Sequence, residues 1–195
     1  MAKNKRKKIV TKSTRLSPEK YIVQKGRDLE FHECLINDNW RKSGLAIVTV
    51  CKKMPSGNLV AGLYLLDIYC LGLKNTLYNF NMSSLEYKDF IERSYSREEG
   101  MDSCETTFAH NIIYGTIDYA EDLGFSPNKD FKITEYLLVP NLISDEIDEI
   151  EFGKDGKPLF IQGPHDNAVK IINKLNETVG EGNYHYIQQG EDMEM

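Results

Sequence analysis

The 195-residue sequence has four cysteines, Cys34, Cys51, Cys70 and Cys104, and no two of them form a C-x-x-C pair. That spacing excludes a zinc ribbon and a thioredoxin-type redox motif. Scattered thiols at apolar positions read as buried groups in a reducing compartment. The chain also lacks a long apolar run. Its longest, Leu59 to Leu73, covers about 15 residues and contains Asp67, short of the roughly 20 needed to span a bilayer as a helix. No apolar stretch follows the basic start, as a secretory leader would require. There is no G-x-x-x-x-G-K-[ST] and no G-x-G-x-x-G, so neither a P-loop nor a dinucleotide fingerprint is present. The expectation is a cytoplasmic protein with no membrane contact.

Charge is unevenly placed. Residues 1–15 carry seven bases (Lys3, Lys5, Arg6, Lys7, Lys8, Lys12, Arg15) and no acid, which leaves 17 bases against 30 acids, a net −13, on the rest. The sequence reads as a basic disordered arm over 1–16, one globular domain over 17–180, and an acidic frayed tail over 181–195.

Within the domain, Ser17 and Pro18 open a short helix that stops at Gly26. Residues 27–40 fit either an edge strand or a short helix. "GLAIVTVCKKM" and "LVAGLYLLDIYCLGL" flank "PSGN" and predict a hairpin. Both strands are apolar on both faces, so the sheet needs cover on both sides. Ser83 with Glu86 forms a capping box for "SLEYKDFIERSY". Asp102 with Glu105 resembles a second box, opening a helix from Ser103 to Leu123 with Cys104, Phe108, Ile112, Gly115, Tyr119 and Leu123 on its apolar face. Gly124 and Phe125 close it. Ser126 and Pro127 start another helix. Asp155-Gly156 turns a second hairpin, and a last helix places Val169, Ile172 and Leu175 inward, with Asp166 as its cap. The fold class is α+β: a single domain with a central hairpin-based sheet covered by helices, and a second small hairpin before the last helix.

Chemistry centres on Asp67. A lone carboxylate in an apolar strand needs a partner, because an unpaired buried charge costs several kcal/mol. One answer is structural, through backbone amides or Lys74. The other is catalytic: a metal-dependent hydrolase or nuclease in which a second acid, from Glu98, Glu99, Glu105 or Asp118, joins Asp67. His110 is a further catalytic candidate, alone or with the thiol of Cys70 or Cys104. Its neighbours one turn away are Thr106 and Tyr114, which supply no good metal ligand. His32 and Cys34 have no second pair. The sequence thus calls for no metal and no cofactor. "GPHD" before the last helix reads as a capped turn more readily than as a phosphate site.

The segments "LLDIYCLGLKNTLYNFN", "YAEDLGFSPNKDF" and "FGKDGKPLFIQGPHDNAVKIINKL" resemble stretches of an uncharacterised family of bacterial cytoplasmic proteins, over roughly residues 60 to 175. Some members of that family carry helical repeats or a C-terminal SEC-C-type zinc motif. This chain has no Cys/His cluster at its end to match that motif, and the resemblance carries over no catalytic residues. The leading expectation is a non-enzymatic interaction module that contacts RNA or DNA phosphates through the arm. The rivals are the Asp67 hydrolase and a subunit that docks a protein partner through its acidic C-terminal region.

Overall fold

The computed structural model describes residues 16–95, 100–139 and 150–188. Helix α1 (Pro18–Lys25) starts where expected, with the Ser17 side chain accepting the Lys20 amide. Strand β1 (Glu30–Asn37) follows and resolves the ambiguity of residues 27–40. It is not an edge. A bulge between Phe31 and Glu33 absorbs the interruption that Glu33 made in the pattern. After a short helix, α2 (Trp40–Ser43), come β2 (Leu45–Lys53) and β3 (Leu59–Asp67), joined at "PSGN" as the sequence predicts.

The run from Leu59 to Leu73 is not one strand. It breaks at Asp67, turns through residues 68–71, and returns as β4 (Gly72–Met82). With β5 (Met101–Ser103) the sheet has the order β4-β3-β2-β1-β5, all antiparallel. On β4, which ends the sheet, the Asn75 and Asn79 carboxamides accept the backbone amides of Thr76 and Phe80 at 2.9 and 3.0 Å.

Both sheet faces are covered. On one, Val48, Val50, Tyr64 and Leu66 pack against Ile112, Ile113 and Ala109 of α4 (Thr106–Asp122). On the other, Leu35, Cys51, Leu59 and Ala61 pack against Tyr87 and Ile91 of α3 (Ser84–Ser94), whose Ser83–Glu86 capping box forms in full. The expected second box does not form. Residues 101–103 are drawn into pairing with Leu35, Ile36 and Asn37, so α4 begins later, with Glu105 at its N-cap and no side-chain cap bond. The apolar face of α4 is also wider than expected. Ile112 lies inward as read, but Thr116, Ile117 and Ala120 join it, while Gly115 and Tyr119 lie under Phe152. Gly124 (φ 83°) ends the helix, and the Phe125 amide reaches back to Ala120.

Ser126 and Pro127 open no helix. Asn128 bonds the Leu73 and Lys74 carbonyls, which ties this segment to β4 and delays the turn until α5 (Phe131–Thr134). The second hairpin's turn forms, with Asp155 and Gly156 both at positive φ (51° and 75°) and Lys154 bridged to Lys157. Its outgoing strand, β6 (Leu159–Ile161), then pairs in parallel with β7 (His185–Ile187) across α6 (Ala168–Thr178). So the first part of the expected tail is a strand, not a frayed end. Within α6, Leu175 is buried and Ile172 half-buried, but Val169 is 71 % exposed, against expectation. Among the described residues no helix is long and apolar enough to cross a membrane.

Candidate functional site

The site is built on the reversal between β3 and β4. Asp67 is 5 % exposed, and its Oδ1 accepts the amides of Tyr69 (3.1 Å) and Cys70 (3.0 Å). This is an Asx turn: a short carboxylate completes a chain reversal by bonding backbone donors two and three residues on. Gly72 finishes the turn at φ 72°, and a Cβ there would lie 2.5 Å from the Ala120 Cβ. The turn is apolar in sequence because it is covered. The Ile68 carbonyl accepts the Gly153 amide, and the Tyr69 carbonyl accepts that of Leu159.

Lys74 does not bond Asp67. Its Nζ donates to Asp166 Oδ2 at 2.7 Å, and that oxygen also takes the Gly163 amide at 2.8 Å. Asp166 is therefore not the cap of α6; Asn167 holds that place by accepting the Lys170 amide. Ser43, Gly44, Asp67, Lys74, Gln162 and Gly163 line a cavity of about 160 Å³, the space of about five waters. Burial pushes the Asp67 carboxyl up to about 6, against the pull of the nearby Lys74 charge and the turn's amides.

The second acids named from sequence do not assemble here. Glu105 is exposed at the N-cap of α4 and Asp118 is exposed on that helix, and Glu98 and Glu99 lie outside the described residues, as do all seven bases of the arm. Asp166, 99 positions along the chain from Asp67, reaches this region only through its ion pair with Lys74, and it lines a separate cleft beside α6. Among the described residues no group of three or more His, Cys, Asp or Glu side chains is placed to hold a metal ion.

His110 is a core residue, 7 % exposed, with its ring 4.4 Å from that of Tyr114. Burial lowers its proton affinity, partly offset by a bond to the Val139 backbone. Neither Cys70 nor Cys104 uses it as a base. Cys70 is buried in the Asp67 turn, where burial and the adjacent carboxylate push its thiol up. Cys104 lies beside Cys34, its backbone amide donating to the Cys34 carbonyl at 3.1 Å. One charged group went unread in the sequence: Lys52, 1 % exposed, donates to the Gly26 and Arg27 carbonyls at 2.8 and 3.1 Å, and burial lowers it to about 8. It anchors the end of α1, and only the 25-residue reach back to that helix shows it.

The chain matches no family model, no curated protein and no solved structure. The geometry therefore carries the functional argument alone.

Proposed function

We propose that this protein is a cytoplasmic, non-enzymatic interaction module that contacts nucleic-acid phosphates through its basic arm. The observation behind this reading is the division of charge: seven bases before Leu16, and a net −13 after it. Flexible cationic arms bind phosphates without sequence preference, and an acidic body confines that contact to the arm. The described chain starts at the surface, with residues 16 to 20 all exposed, so the residues to which the arm is joined face solvent.

The test compares the full chain with a variant lacking residues 2–15, on a mixed-sequence single-stranded oligonucleotide at two or more salt concentrations. The full chain is expected to bind, with a log–log salt slope of up to about 5 in magnitude for seven cations, and the deletion to abolish binding. Equal binding by both forms, or binding by neither, would refute the reading.

A second reading draws on the Asp67 cavity. A carboxyl raised to about 6 beside an ammonium–carboxylate pair is suited to general acid–base work near neutrality. It is the weaker reading because Asp67 already has a structural task, holding the Tyr69 and Cys70 amides. Turnover of a chromogenic ester that is lost in Asp67→Asn, with the fold intact by circular dichroism, would favour it over the first.

A further inference from the structure

Four thiols are placed by the fold in three different surroundings. Cys51 sits on the α3 side of the sheet, and Cys70 beneath α6. Cys34 lies on the α4 side, with Cys104 packed against the same cluster. The β1–β5 register runs Asn37↔Met101, Ile36↔Asp102, Leu35↔Ser103. The next pair in that register is Cys34 opposite Cys104, and the Cys104 amide donates to the Cys34 carbonyl at 3.1 Å. Directly opposed residues on antiparallel strands have Cα atoms about 4.5–5.5 Å apart. A disulfide needs about 4.4–6.8 Å. Both thiols are free.

We infer that Cys34 and Cys104 form a reversible disulfide that responds to hydroperoxide and staples the edge strand β5 to β1. Two elements of the fold assign the roles. Cys104 is partly exposed, just past the end of β5, so it meets the oxidant first. Cys34 is 1 % exposed within the sheet, so it is the resolving thiol. The adjoining Cys104 and burial hold the Cys34 thiol above its ordinary range, which suits a thiol that reacts second.

In the first step the Cys104 thiolate attacks one peroxide oxygen. The O–O bond breaks, and the leaving hydroxide takes a proton to become water. Cys104 is then a sulfenic acid. In the second step Cys34 loses its proton and attacks the Cys104 sulfur, and the sulfenic oxygen leaves as a second water. Two thiols have lost two electrons and the peroxide has gained them. A dithiol such as dithiothreitol reverses the step by exchange.

The bond closes a loop across most of the sheet and the whole of α3. A cross-link of that span is expected to raise Tm by roughly 5–15 °C. Without it, three residue pairs hold β5.

The experiment treats the full chain with hydrogen peroxide, alkylates the remaining thiols, and maps disulfides by peptide mass. The expected result is a Cys34–Cys104 cross-link, with Cys51 and Cys70 still alkylated, and a Tm rise that dithiothreitol removes. Cys34→Ser is expected to trap the Cys104 sulfenic acid as a dimedone adduct, and Cys104→Ser to leave Cys34 unreactive. The inference is overturned if both thiols stay reduced under excess peroxide, or if the cross-link maps to another pair. It also fails if Cys104 reacts no faster than Cys51 and Cys70 in a chain whose circular dichroism is unchanged.

Discussion

Asp67 carries two demands that pull in opposite directions. The turn needs an oxygen that accepts two amides, and the surroundings resist a charge on it. An aspartate has a pKa of about 3.9 in an unfolded chain, and here it is raised to about 6. The folded state therefore holds the proton more tightly. Stability linked to Asp67 is whole below about pH 4 and is lost as pH rises through about 6. A rise of that size corresponds to roughly 3 kcal/mol. Asp67→Asn keeps an oxygen for the amides and has no charge to desolvate. Urea unfolding of both proteins from pH 4 to 7.5 should show the difference in stability moving toward the Asn variant by up to that amount. A difference that stays flat across the range would show that burial of this charge is not a significant cost. The tie between Lys74 and Asp166 was not legible, because the two are 92 residues apart and each had a nearer role on offer, Lys74 beside Asp67 and Asp166 at the start of the last helix. What could be read was the mismatch itself: a single carboxylate amid apolar residues, which has to be explained by some partner.

At the level of elements, a local signal held where no distant segment competed for the same residues. The Ser83–Glu86 box is complete within four residues, and it forms. The Asp102–Glu105 box has the same letters. It loses to strand pairing with residues 35–37, which no local pattern reports. The β3–β4 reversal escaped for a different reason. Turns are recognised by polar residues because most turns face water, and Ile68, Tyr69 and Cys70 are buried. Gly72 was the available clue. It stands at φ 72° against the Ala120 side chain, so Gly72→Ala combines a left-handed backbone with a steric clash. The expected loss is roughly 2–5 kcal/mol, read as a lower urea midpoint. A loss below about 1 kcal/mol would mean that α4 shifts freely away from the turn.

Across the whole molecule, the continuous apolar runs of β2 and β3 implied a sheet covered on both sides, and α4 and α3 supply that cover. The α+β class follows from this. Strand order does not, since β5 and β7 are three residues each and carry little pattern. The C-terminal β6–α6–β7 unit was read as a hairpin and a helix, because β6 takes its partner from a segment 26 residues on, in a stretch with no period. That unit and the Asp67 turn hold each other through the Gly153 and Leu159 amides and the Lys74–Asp166 pair.

The sheet must also stop somewhere, and at β4 it does so by means of its own side chains. An open edge invites another chain to add on. Asn75 and Asn79 already occupy the Thr76 and Phe80 amides, so a visiting strand would find two of its acceptors unanswered. These two asparagines are placed to oppose edge-to-edge pairing, a task unrelated to binding or catalysis. Replacing both with valine should leave the monomer folded while creating a concentration-dependent dimer or larger species in sedimentation velocity. If the double variant stays monomeric at high concentration, the edge is guarded by something other than its asparagines.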